Sequence, residues 1–268
     1  MGTDALLMLE EASVTDENFG PRRDRMYQII HELKRSEIIA ELTKWNNQRE
    51  PDLMEGMLIL EKIENARVNQ QSIENQIDKI RLDAWLELNY DVTSFEQIKI
   101  LNYIFYEVHG FKGNIKDYHS SNNSFLSTVL ANKTGNPVSL AIVYSLIAQR
   151  LNIPVYGVNL PQHFVLGYQS VEGVEIIKVF NDPSTLNPDN ADNIMFYINP
   201  FSDGLILNFE SLKAFLTQLN IEHKPMFFRV CTNPEILQRV LRNLQFSYEK
   251  QEEPAKVELV KQMLGVFE

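Results

Sequence analysis

Apolar residues recur at helical spacing through most of the first third of the chain, from about Asp4 to Asn89. Between Arg22 and Trp45 the set is Met26, Ile29, Ile30, Leu33, Ile38, Ile39 and Leu42, with charges between them, which predicts an amphipathic helix. Glu50-Pro51-Asp52 breaks the pattern, a helix from Leu53 to about Ala66 restarts it, and Gln70 to Leu88 continues it. That last segment carries Ile73, Ile77, Ile80, Leu82, Trp85 and Leu86, so Trp85 is expected in the core. Thr93-Ser94-Phe95-Glu96 has the form of a capping box, after which Phe95, Ile98, Leu101, Phe105 and Val108 share a face as far as Gly110, a C-cap. Asn122, Asn123 and Ser124 offer local caps to a short helix carrying Phe125, Leu126, Val129 and Leu130.

The pattern changes at Lys133. From Val138 to Leu151 apolar residues fall on nearly every face, as in a helix enclosed by other elements. Asn136 is a good N-cap, Pro137 suits the first helical position, and Pro154 stops the helix near Asn152. VYGVNL and HFVLGY then read as strands, as do VEIIKVF and IMFYIN after them. Glu210 to Leu219 predicts a helix, and the apolar set Ile236, Leu237, Val240, Leu241, Leu244 and Tyr248 a longer one. Glu252-Glu253-Pro254 turns that helix into a last one from Val257 to Phe267. Helices flanking antiparallel strands indicate an α+β fold, with a helical region over 1–92, a core over 93–222 and a helix hairpin over 223–268.

Charge narrows the partners. With 25 basic and 36 acidic residues the net charge is −11, which argues against nucleic acid and against an anionic membrane surface. Cys231 is the single cysteine, so an intramolecular disulfide and a cysteine-cluster metal site are both excluded. The acidic flank and short apolar run of MGTDALLMLEEAS do not make a signal peptide, and no apolar run approaches the ~20 residues that span a bilayer, so a cytoplasmic protein is expected. The loop NDPSTLNPDNADN is acidic but lacks the central Gly and closing Glu of an EF-hand; no metal or cofactor is expected. His109 and His119 have no partner pattern, which favours capping or exposed roles for both.

Four stretches carry a family resemblance: Asn-Ser-Phe-Leu at 123–126, Gly-Asn-Pro-Val-Ser-Leu at 135–140, Leu-Pro-Gln-His-Phe at 160–164 and Asn-Pro-Phe at 199–201. With them the chain resembles the transglutaminase-like superfamily, and within it the bacterial SirB-type proteins, from roughly Pro51 onward. The resemblance implies a transglutaminase/papain-like core followed by tetratricopeptide-like helices. It also implies a site: family members with a nucleophile carry a Cys at the start of the central helix, then a His, then an Asp on following strands. The matching positions here are Pro137, His163 and Asn199, with Asp182 competing for the third place.

The departure at Pro137 bears on chemistry. A Cys at a helix N-terminus is favoured as thiolate by unpaired N–H groups and the helix dipole, and an oriented His completes acyl-transfer machinery. Proline keeps the helix start and removes the attacking atom. The leading expectation is a non-catalytic module that binds a protein or peptide. The alternative is an acyl transferase or amide hydrolase with a displaced nucleophile, for which Ser139 and Cys231 are the candidates. Two residues of helix turn Ser139 about 200° from Pro137, so both can hardly face one His.

Overall fold

The computed structural model describes residues 20–65, 67–89, 91–170 and 193–268. VEIIKVF, most of the following loop with Asp182, and the first nineteen residues lie outside them. Three helices come first: α1 (Gly20–Asn46), α2 (Leu53–Glu61) and α3 (Gln70–Glu87). Asp52 caps α2 by accepting from the Glu55 N–H, and Asn69 caps α3 through the Ser72 N–H. The second helix stops at Glu61, five residues short of the expected Ala66.

On α3 the buried stripe is Ile73, Ile77, Ile80 and Ala84. Trp85 is therefore not a core residue: it is 57 % exposed, and Leu82 and Leu86 are exposed with it. The helix has two apolar faces about 160° apart, and among the described residues only the isoleucine face is buried. Trp45 fills the core instead, 1 % exposed, with its Nε1 donating to the Asp52 carbonyl at 2.7 Å.

The capping box at Thr93 forms as expected and starts α4 (Ser94–Asn102). That helix runs on into a π-helical turn, Tyr103–Val108, before Gly110 in the left-handed region at φ +71. A π turn inserts an extra residue and rotates the side chains beyond it about the helix axis. Ile104, Phe105 and Tyr106 are buried as a result, and Val108, expected on the same face, is exposed.

The short helix α5 (Leu126–Asn132) does not take its cap from Asn122, Asn123 or Ser124. The Asn123 amide donates to the Asp117 and Tyr118 carbonyls, and the Ser124 hydroxyl accepts from the Asn136 amide. The buried carboxylate of Glu61 caps α5 across 66 residues of sequence, accepting from the Ser127 N–H at 3.0 Å and from the Ser127 hydroxyl. Burial pushes the Glu61 pKa up, and the Ser127 bonds only partly offset this.

Helix α6 (Pro137–Arg150) is the centre of the molecule, with every residue from Pro137 to Ala148 buried. Two-residue strands β1 (Lys112–Gly113) and β2 (Thr134–Gly135) pair in parallel just before it. The main sheet comes next: β3 (Val155–Leu160), β4 (His163–Gln169), β5 (Ile194–Asn199) and β6 (Leu205–Leu207), antiparallel and in sequence order. Strands β3 and β4 form a hairpin around Pro161-Gln162, with Leu160 opposite His163 and Gln162 at φ +59.

Strand alternation divides the sheet into two faces. Val155, Phe164, Leu166, Phe196 and Ile198 join α6 in one large cluster, which also takes in the N-terminal helices and the last two, α8 (Asn233–Lys250) and α9 (Pro254–Leu264). Val158, Leu160, Val165 and Tyr197 face the other way, against Leu212 and Leu216 of α7 (Phe209–Gln218) and against Phe228. The chain thus has an α+β fold whose central helix lies on one face of an antiparallel sheet. Helices α8 and α9 form a hairpin that packs on this core.

Candidate functional site

The start of α6 is built by reciprocal capping. The Asn136 side chain accepts from the Ser139 N–H, and the Ser139 hydroxyl accepts from the Asn136 N–H, both at 3.0 Å. Pro137 stands at the first helical position, where its missing N–H costs nothing. Ser139 is fully buried and spent on this cap, so its hydroxyl is not presented to a substrate.

A cavity of about 500 Å³ opens beside this helix start. Asn136, Pro137 and Val138 form its floor, and Gln162 and Phe164 of the β3–β4 hairpin one wall. The opposite wall is a stripe on α8: Arg239, Asn243, Phe246 and Ser247. Tyr118 and His119 close the rim, with His119 tilted against Phe246 at 5.1 Å and Tyr118 edge-on to Phe201 at 5.6 Å. Tyr118 and Phe246 are exposed despite their size.

His163 does not line this cavity. Strand parity sends its neighbour Phe164 toward α6 and turns His163 to the α7 face, where its ring lies 5.3 Å from that of Phe215. Its Nε2 is buried with no hydrogen-bond partner among the described residues. Burial lowers the His163 pKa, and the neighbouring Asn199 side chain offsets this only in part. Asn199 itself is a turn former. Its side-chain oxygen accepts from the Phe201 N–H, and its carbonyl accepts from the Ser202 and Gly204 N–H groups. The structure therefore brings Asn199 beside His163 but leaves Pro137 on the other side of the sheet. Asp182, the competing third residue, lies outside the described residues.

The unpaired Nε2 makes a prediction. His163→Phe removes an unsatisfied buried nitrogen, so stability at neutral pH should hold or rise by up to about 1 kcal/mol. The sign of the pH effect comes from the lowered pKa: the unfolded chain takes up the proton first. The parent therefore loses stability as pH falls below the ordinary His value of about 6.5 toward the folded one. Urea midpoints compared at about pH 5 and pH 7.5 should show a shallower decline in the variant; an unchanged slope would contradict the assignment.

Cys231 sits beside β3, its N–H and its thiol both directed to the Gly157 carbonyl, at 2.8 and 3.1 Å. Burial pushes the thiol up to about 12, so it stays protonated near neutrality. A Cβ on Gly157 would meet Phe164, Cys231 and Ile236, which puts the sulfur on the α6/α8 face, opposite to His163.

Arg239, Asn243, Phe246 and Ser247 belong to no motif in the sequence. Their spacing of i, i+4, i+7 and i+8 is the signal that could have found them: it draws a stripe along one margin of the apolar face of α8. Among the described residues no cluster of His, Cys, Asp and Glu is arranged to hold a metal, and no helix is long and apolar enough to cross a membrane.

The transglutaminase-like superfamily model matches residues 71–242. A UPF0162 protein of Xylella fastidiosa (strain 9a5c) is 30% identical over 146 residues, covering 54% of this chain and 46% of that protein. F-box only protein 21 of Homo sapiens is 31% identical over 145 residues, 54% of this chain and 20% of its own length. Protein SirB1 of Salmonella typhimurium is 28% identical over 130 residues, 48% of each chain. The chain thus spans half or less of the length of these three relatives. No solved structure matches it.

Proposed function

Because the chain belongs to the transglutaminase-like superfamily, of the SirB type, we propose that it acts as a non-catalytic binding module for a protein or peptide partner. One observation carries this reading: proline occupies the start of the central helix, where the superfamily's nucleophile would stand, and an open cavity remains beside it. The two displaced candidates support it. Ser139 is spent on the helix cap, and Cys231 is a protonated, hydrogen-bonded thiol on the face opposite His163. The aromatic rim fits an interaction surface, since such residues dominate binding energetics. On the same reading the final hairpin is tetratricopeptide-like and the setting cytoplasmic, which one cysteine in 268 residues supports.

The test is an assay against glutamine and peptide-amide substrates with the native chain, the chain alkylated at Cys231, and Pro137→Cys. The native chain should be inactive. Pro137→Cys should stay inactive as well, because His163 faces the α7 side and cannot take the new thiol's proton. Turnover by the native chain that disappears on alkylation would overturn the reading and make Cys231 the nucleophile.

A further inference from the structure

We propose that the cavity at the start of α6 recognises a carboxylate attached to an apolar peptide segment, with Arg239 as the anion partner and Tyr118 and Phe246 as the apolar walls. The inference rests on the binding-module reading and names the chemistry of its ligand.

Arg239 is half-buried, and its contacts are incomplete. Nη1 donates to the Asn159 side chain and to the Leu160 carbonyl, both at 3.0 Å. Those bonds fix the guanidinium plane against the hairpin. Among the described residues no carboxylate forms an ion pair with it, and Nε and Nη2 make no protein hydrogen bond. Burying a cation without a counter-charge is costly, and burial does pull the Arg239 pKa down; guanidinium nevertheless stays charged. Another arginine of the same region is treated differently: Arg229 is paired with Glu235.

The surroundings select the kind of anion. None of the eleven residues lining the cavity is acidic, in a chain of net charge −11. Apart from Arg239 the polar lining is neutral amide and hydroxyl, with His119 at the rim. One fixed positive charge with neutral donors suits a monoanion better than a phosphate dianion, and the planar fork matches a carboxylate in bidentate geometry. Tyr118 and Phe246 are exposed rings of the lining, joined through His119, ready to cover an apolar side chain. A volume of about 500 Å³ is that of a small-ligand pocket, so it takes one or two residues of a peptide.

The carboxylate could be a chain terminus or an acidic side chain, and the test separates them. The Arg239 Nε–Hε resonance of the full chain is followed by NMR during titration with N-acetylphenylalanine, which carries a terminal carboxylate, and with N-acetyl-Phe-Glu-amide, which carries a side-chain one. N-acetylphenylalaninamide and N-acetyl-Phe-Gln-amide are the neutral counterparts. At least one acid should shift the resonance saturably and bind about tenfold more tightly than its neutral form, the value of a charge-assisted pair at a partly exposed site. The preferred acid identifies the source. Arg239→Gln should abolish that preference and Arg239→Lys should keep part of it, while Phe246→Ala should weaken acid and amide alike; thermal melts of each confirm the fold. Acids and amides bound equally, tighter binding of inorganic phosphate than of either acid, or no saturable shift with any probe would each overturn the inference. None of these outcomes touches the binding-module reading, which fails only if amide substrates are turned over.

Discussion

Trp45→Ala should lower the stability of the folded chain by about 3–5 kcal/mol, while Trp85→Ala should change it by less than about 0.5 kcal/mol. Trp45 lies where segments from both ends of the chain meet. Its indole N–H donates to the Asp52 carbonyl just before α2, its ring meets Phe267 edge-on at 6.5 Å, and Gly56 lies so close to the ring that a Cβ there would overlap it. Truncation would leave a large void among elements that cannot collapse independently, and the Asp52 carbonyl would keep only its helical partner, the Gly56 N–H. Trp85 is 57 % exposed and has no such partners among the described residues. Urea denaturation of the two variants decides the matter: equal losses would mean that Trp85 is covered in solution.

A second large loss is expected from Gly204→Ala, about 3 kcal/mol or more. Gly204 closes the turn after Asn199, at φ +71, a region that costs an L-residue roughly 1–2 kcal/mol. A methyl group there would also overlap the Asn102 side chain, adding an overpacking cost of about 1–3 kcal/mol. Asn102 has no room to yield, because it links two elements: its amide donates to the Gly204 carbonyl at 2.9 Å, and its oxygen accepts from the buried Tyr144 hydroxyl at 2.8 Å. A double-mutant cycle separates the two contributions. In an Asn102→Ala background the steric part should vanish and only the backbone cost of about 1–2 kcal/mol remain. Full additivity of the two substitutions would contradict a clash between them.

Both effects involve residues whose meaning differs between the linear chain and the folded one. The helical positions were legible in the sequence wherever the determinant is a contact three or four residues away. The capping box of Thr93 and Glu96, the N-cap at Asn136 with Pro137 behind it, and the stop before Pro154 all form as the residue order predicts. The Pro161-Gln162 hairpin between two apolar runs is of the same kind. So is the family itself, carried by short phrases around the central helix and matched over residues 71–242.

The rest was decided by which surfaces meet. Periodicity gives α3 two apolar faces and cannot say which of them is covered, so Trp85 reads as core although Trp45 is the buried indole. Alternation determines that His163 and Phe164 point to opposite sides of β4; only the placement of α6 and α7 on those sides puts Phe164 at the cavity and His163 against Phe215. The cap of α5 comes from Glu61, and no local pattern around Ser127 announces it. That no carboxylate among the described residues pairs with Arg239 is equally invisible in a chain rich in acids, because whether a charge is paired depends on distances through space rather than along the chain. Residue order specifies the bonds a segment makes with itself; burial, facing and charge pairing exist only once segments distant in sequence exclude water between them.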